Sequence, residues 1–229
     1  MYHIYVRDRD ALQLWTTEYG TLWTLGTDES LPPFCQARIE VAFKEVREDE
    51  SVAELAAAMN LATSRPIRRR LSCRRRCFVL KTGDQIVTYG WVTRGAEYVG
   101  ELEREFHLHN DEAYIWDCVT LPAWRGQRGY SALLSHIIYR LHDERDERGA
   151  PSVSRIWIGA SRQNRPSVQG FVNAGFNRVV DLAYHRLYRL TLMWLRPSAT
   201  AGQPIVVAAT RILLDERERR FGPLVVGYK

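Results

Sequence analysis

Several things are scarce in this 229-residue chain, and each scarcity removes a class of protein. No window approaches twenty uncharged apolar residues: the longest runs, Leu190–Leu195 and Ile205–Ala209, are far too short for a membrane-spanning helix. The opening MYHIYVRDRD has no apolar stretch of signal-peptide type, so a cytoplasmic protein with no membrane partner is expected. The four cysteines, Cys35, Cys73, Cys77 and Cys118, form no C-x-x-C pair and have no histidine at zinc spacing, so no metal and no disulfide is expected. Cys73 and Cys77, four apart, read as two small buried side chains. There is no internal repeat and no low-complexity stretch. Lysine is nearly missing as well. Of 32 lysines and arginines only Lys44, Lys81 and Lys229 are lysine, which leaves 29 arginines.

What is present is ordinary for a globular chain. A hydrophobic fraction of 45%, with seven tryptophans and eleven tyrosines, needs a packed core and excludes disorder. The net charge of +5 and the pI near 9.1 invite a nucleic-acid reading. An arginine excess of this kind reflects a GC-rich genome as readily as a phosphate-binding surface, so net charge alone decides nothing.

The hydrophobic pattern places the elements. Residues 1–36 are aromatic-rich and hard to place, ending at Leu31-Pro32-Pro33. Ala37–Val46 alternates as a half-buried strand. Ser51 and Glu54 form a capping-box pattern before a short helix, and Ser64 caps a second helix with Ile67 and Leu71 inward. That helix carries the run Arg68–Arg76, a solvated basic face or a site for phosphate or RNA. Cys77–Lys81 and Gln85–Val92 read as a hairpin, and Glu101–His109 as an alternating strand with Glu101, Glu103, Glu105, His107 and His109 on one face. Ala113–Leu121 is a strand, Ser131 to about Glu147 an amphipathic helix, Arg155–Ala160 a strand, and Asn164–Ala174 a helix. Val179–Leu195 reads as one or two strands, and residues 196–229 as an appended tail.

Two stretches carry chemistry. In the first, Asp117 to Leu134, a strand feeds a glycine-bearing turn at a helix start. Unpaired amides and the helix dipole there favour an anion, and Arg125 and Arg128 add full charges. It is neither a Walker loop, lacking Gly-Lys-Ser/Thr, nor a dinucleotide fingerprint, lacking G-x-G-x-x-G. The second is N-R-P-S-x-x-G-F-x-N-A-G-F, Asn164 to Phe176.

Together these resemble the GNAT acetyltransferase superfamily, over roughly Ile39 to Leu195. Arg125-Gly126-Gln127-Arg128-Gly129-Tyr130 stands at its R/Q-x-x-G-x-G/A loop, Cys118-Val119-Thr120 at the strand triplet before it, and Asn164, Ser167 and Gly175-Phe176 at its later block. The resemblance implies an α/β (α+β) fold: a mixed, mostly antiparallel twisted sheet flanked by helices, in which two parallel central strands, Ala113–Leu121 and Arg155–Ala160, splay apart. It implies acetyl-CoA as co-substrate. The pantetheine would lie on the backbone of Cys118, Val119 and Thr120, and the pyrophosphate on Arg125, Gly126, Gln127, Arg128, Gly129, Tyr130 and Ser131. Asn164, Ser167 and Phe171 would complete the cofactor site.

Direct acyl transfer to an amine makes its own demands. An alkyl ammonium with pKa near 10 is neutral in about one molecule in a thousand at pH 7, so a base must take its proton. The thioester oxygen needs an N–H donor, expected from the backbone near Cys118–Val119. Asp117 and Tyr114 are the catalytic candidates. Asp117 is expected to share its face with Ile115 and Val119, Tyr114 to share the other with Cys118. Asp117 equally suits a buried structural carboxylate, and the Glu101–His109 face could lead the proton out. Three positions depart from the family pattern: Arg128 and Tyr130 stand at small-residue positions, and Phe171 stands where many members carry the tyrosine that protonates the thiolate.

The expected function is therefore N-acetyl transfer from acetyl-CoA to a primary amine, the acidic strand suiting a small cationic amine or amino sugar. Two alternatives stand beside it: a catalytically weak GNAT-like acyl-CoA-binding module, motivated by Phe171, and an RNA- or anion-binding protein acting through Arg68–Arg76. No nucleic-acid motif overlaps that run, so nucleic acid is not the expected partner. The expected organisation is an N-terminal extension over 1–36, an acetyltransferase-like domain over 37–195 and a tail over 196–229, which leaves open a homodimer formed through the tail.

Overall fold

The computed structural model describes residues 16–27, 30–47, 52–102, 104–187, 190–214 and 224–228. The expectations at Ser51 and Glu103 lie outside them. One large sheet organises the chain. Its strands in chain order are β1 (Thr16–Gly26), β2 (Ala42–Val46), β3 (Arg76–Thr82), β4 (Gln85–Thr93), β7 (Glu112–Thr120), β8 (Arg155–Ser161), β9 (Asn177–Leu187), β10 (Leu190–Pro197) and β11 (Leu224–Tyr228). A separate two-stranded hairpin is made by β5 (Ala96–Val99) and β6 (Arg104–His107). The sheet order is β11-β10-β9-β1-β8-β7-β4-β3-β2. Among the described residues only β7/β8 and β10/β11 are parallel pairs, so the mostly antiparallel α/β sheet with two parallel central strands is present as expected.

The helices are α1 (Ala53–Ala58), α2 (Arg65–Ser72), α3 (Gly129–Asp143), α4 (Arg165–Asn173) and α5 (Gln203–Leu213). One apolar cluster lies under α3 and α4, where Leu133, Leu134, Ile137, Ile138 and Leu141 of α3 are fully buried against Phe78, Leu80, Ile115 and Ile156. A second gathers α5 and β6 with Leu22, Trp157 and β9, and a third joins α1 and α2 to Val79, Tyr89 and Trp91.

Three sequence expectations change. The segment before residue 37 supplies β1, which pairs with β8 on one side and β9 on the other. Its Leu22, Trp23 and Leu25 are buried, while Thr21 and Thr24 are buried polar residues whose hydroxyls reach the carbonyls of Ala160 and Ile156. Those threonines blur the alternation that marks a strand. After residue 195, α5 and β11 are likewise built in. Arg211 of α5 donates to Glu112 Oε2 at 2.6 Å and to the carbonyl of His107 at 3.0 Å, and β11 pairs with β10. Finally, Glu101–His109 is not one strand. Glu101 and Leu102 form the turn of the β5–β6 hairpin, and Arg104 and Phe106 are buried while Glu105 and His107 are half-buried.

Candidate active site

The two parallel strands separate. Glu112–Ile115 of β7 pair with Arg155–Ile158 of β8, and beyond those residues both strands continue, to Thr120 and Ser161, without pairing to each other. On its other edge β7 stays on β4, but through a bulge. Tyr89 faces Val119 and Trp91 faces Trp116, so Gly90 stands opposite both Asp117 and Cys118. Asp117 takes φ +45°, a left-handed conformation that aspartate adopts more readily than most residues.

The extra residue resets which side chains share a face. Tyr114 packs with Phe106 and the α5 side, whereas Cys118 joins Ile115 in the α3 cluster, so the two do not share a face as expected. Val119 goes to the α1–α2 cluster and Ile115 to the other, so Asp117 does not sit between them on a common face. Asp117 instead reaches α2, where Arg70 Nη1 donates to its Oδ2 at 2.6 Å. Arg70 is held by two indole rings, 5.0 Å from the centroid of Trp91 and 4.8 Å from that of Trp116.

At the far end of β7, Pro122–Trp124 form a short 3-10 turn, Gly126 and Arg128 take φ +82° and +58°, and α3 begins at Gly129. Arg38 removes the competing acceptors: its backbone amide bonds the Gln127 carbonyl at 2.8 Å and its guanidinium the Gly126 carbonyl at 3.3 Å. The first intrahelical bond runs from Ala132 to the Arg128 carbonyl, so the amides of Gly129, Tyr130 and Ser131 have no partner within the helix. Arg125 and Arg128 are exposed beside them. The Arg128 backbone occupies the left-handed region that a glycine at this position adopts freely, at a cost of about 1–2 kcal/mol for an ordinary residue.

The second block flanks this loop. Asn164 caps α4, its Oδ1 accepting from the Ser167 amide at 3.3 Å. Tyr130 leans across to α4, and a β-carbon at Gly170 would stand 2.2 Å from its ring. Burial pushes its phenol well above its ordinary pKa. Phe171 is fully buried, with Trp23, Tyr130 and Phe176 rings at 5.8, 6.3 and 6.3 Å. It is a core residue in the cluster that also holds Ile158, Cys118 and Ala160 of the parting strands.

Burial also pushes the Tyr114 phenol and the Cys118 thiol well up, which favours the protonated form of both at neutral pH. The structure thus brings Asp117, Cys118, Val119 and Thr120 to the unpaired stretch of β7, and residues 125–131 to the helix start that follows it. Sequence reasoning passed over Gly90 and took Arg70 only as a member of the Arg68–Arg76 run. A lone glycine inside a strand marks a bulge or a close approach, so Gly90 was readable; nothing in the sequence ties Arg70 to Asp117. Among the described residues no group of three or more His, Cys, Asp or Glu side chains could hold a metal, and no helix is long and apolar enough to cross a membrane.

No family model matches the chain, and no curated protein matches it. Solved structures do. A GNAT-family acetyltransferase from Colwellia psychrerythraea is 12% identical over 75% of this chain and 55% of its own, with a TM-score of 0.47. One from Streptococcus pneumoniae is 15% identical over 60% and 84%, with a TM-score of 0.44. An aminoglycoside acetyltransferase from an uncultured soil metagenomic sample is 13% identical over 59% and 87%, with a TM-score of 0.40. The chain spans 52–61% of the length of the first three such structures. Three of the solved chains it is similar to are thus named acetyltransferases, while another, from Staphylococcus epidermidis, is a functionally unknown conserved protein.

Proposed function

We propose that this chain is an acyl-CoA-dependent N-acyltransferase that moves an acetyl group to a primary amine by direct attack. The observation that carries the reading is the parting of β7 and β8 after Ile115 and Ile158, beside a bulge at Asp117–Cys118. It leaves one edge of residues 116–120 without a strand partner, as an extended ligand pairing with the backbone requires. The free amides at Gly129–Ser131, with Arg125 and Arg128, suit a pyrophosphate, so the residues present fit acetyl-CoA. When bound, that co-substrate supplies an activated thioester.

The chain's own residues would do the rest. Backbone amides at Cys118 and Val119 offer donors to a developing oxyanion. Asp117 has one carboxylate oxygen on Arg70 and the other left to take a proton from the attacking ammonium, directly or through water. Tyr114, kept neutral by burial, is a wall and a hydrogen-bond donor. The chain is read as cytoplasmic.

The buried Phe171 supports a second reading, an acyl-CoA-binding module of weak activity, because it brings no hydroxyl to the thiolate. Release of CoA thiol from acetyl-CoA over a panel of primary amines separates the two. Amine-dependent release supports the transferase; binding of acetyl-CoA with no release for any amine supports the module. The RNA reading weakens, because three arginines of the run are paired: Arg70 with Asp117, Arg75 with Glu97, and Arg76 with Glu45 and Glu144.

A further inference from the structure

Beside Asp117, on the α2 face of the sheet, lies an open cleft of about 570 Å³ lined by Arg65, Pro66, Arg69, Arg70 and Arg75. Two of its four guanidinium groups face carboxylates, Arg70 on Asp117 and Arg75 on Glu97. Arg65 and Arg69, one turn apart on α2 and exposed, have no carboxylate partner among the described residues. The cleft therefore keeps a surplus of positive charge.

The paired arginines also retain donors. A guanidinium carries five N–H groups, of which Asp117 engages one on Arg70, and Glu97 engages Nε and Nη2 of Arg75. Both groups are already oriented: Arg70 lies over Trp91 and Trp116, and Arg75 lies 5.8 Å from the centroid of Trp116. Holding a guanidinium by aromatic faces removes much of the entropy cost of engaging a ligand. Glu97 is itself fixed, being 3% exposed and bonded by Thr93.

We infer that this cleft binds an anionic group, a carboxylate or phosphate, carried by the acceptor amine. The inference rests on the acyltransferase reading for its connection to catalysis, since Arg70 joins the cleft to Asp117 at the bulge. It reverses the cationic amino-sugar acceptor that the acidic residues of 101–109 suggested. Of those side chains Glu101 and Glu105 lie on the β5–β6 hairpin, where Glu105 acts on Arg75 and Glu101 on Tyr114, but the four arginines of the cleft outnumber the carboxylates that face them, and the charge nearest Asp117 is arginine.

Two measurements test it. First, thermal melting is followed with inorganic phosphate for the wild type, for Arg65→Gln/Arg69→Gln and for Arg125→Gln/Arg128→Gln. A phosphate-dependent rise in Tm that is lost in the Arg65/Arg69 variant supports the cleft. A rise that survives there and vanishes in the Arg125/Arg128 variant overturns it, as does no rise in any protein. Second, thiol release is compared for matched acceptors, amino acids against their carboxamides and amino-alkyl phosphates against the corresponding amino alcohols. The expected result is a preference for the anionic member of roughly tenfold or more in kcat/KM, the scale of charge-assisted hydrogen bonds. That ratio should collapse toward one in Arg65→Gln/Arg69→Gln and be largely kept in Arg69→Lys. Which pair shows the larger preference tells carboxylate from phosphate. Turnover without preference overturns the cleft and leaves the transferase standing. No turnover, together with a phosphate effect that needs Arg65 and Arg69, overturns the transferase and leaves the anion site.

Discussion

The Sγ of Cys118 lies 2.6 Å from where a β-carbon on Gly90 would stand. Gly90 is the residue opposite the bulge, and Leu133 Cδ2 closes the same space at 3.1 Å. The missing side chain on β4 is what lets β7 fold one extra residue over it, turning Asp117 toward α2 and Cys118 toward α3. Gly90→Ala is expected to destabilise the fold by about 1–3 kcal/mol through overpacking and to abolish acyl transfer. Cys118→Ala alone costs less, and the double variant recovers much of the Gly90→Ala loss. Urea unfolding of the four proteins measures the coupling; an additive cycle would mean that Cys118 does not set this geometry.

Tyr130 and Gly170 form a second interlocked pair. In the wild type, Gly170→Ala drives a β-carbon into the Tyr130 ring and is expected to destabilise. In a Tyr130→Ala background the same change removes a helix-interior glycine at no steric cost, and should stabilise by roughly 0.5–1 kcal/mol. A change of sign between backgrounds, read by melting, is the expected outcome.

Phe171→Tyr tests whether the missing hydroxyl can be restored at this position. Because the ring is enclosed by Trp23, Tyr130 and Phe176, the added hydroxyl loses water without a prepared partner, costing about 1–3 kcal/mol. A lower Tm with no gain in kcat is expected. A faster enzyme of unchanged Tm would show that the position does open toward the reacting sulfur.

Glu112 ties the C-terminal helix to the parting strands and makes stability acid-sensitive. Burial by itself would raise its pKa; the His109 amide and the Arg211 guanidinium outweigh that and hold it below the ordinary glutamate value. A carboxylate depressed in the folded state contributes stability that is full above about pH 4.5 and is lost as pH falls through its folded value. Denaturation between pH 7 and pH 3 should show that loss, and Glu112→Gln should flatten it while lowering stability at pH 7.

Much of this was legible in the sequence. The α3 stripe and the β3–β4 hairpin follow from spacing, and the parallel pair from the resemblance that the two chemical blocks carry. β1 was hidden because its buried threonines read as polar, although they satisfy β8 carbonyls. α5 was missed despite Gly202 and Pro204, a helix-start signal, because the stretch was read as a tail. Gly90 on β4 was a readable mark of the bulge, but the period-two pattern of β7 itself carries none where one residue is inserted. The Arg70–Asp117 pair joins residues 47 apart, which no local rule reaches.

The central claim is that the unpaired stretch of β7 and the amides of the α3 start hold acyl-CoA. Titration calorimetry with acetyl-CoA tests it most directly. Saturable binding in the micromolar range is predicted for the wild type, weakened about tenfold or more, ~1.4 kcal/mol, by Arg125→Gln/Arg128→Gln. No heat of binding at millimolar acetyl-CoA, or binding indifferent to those two arginines, would contradict it.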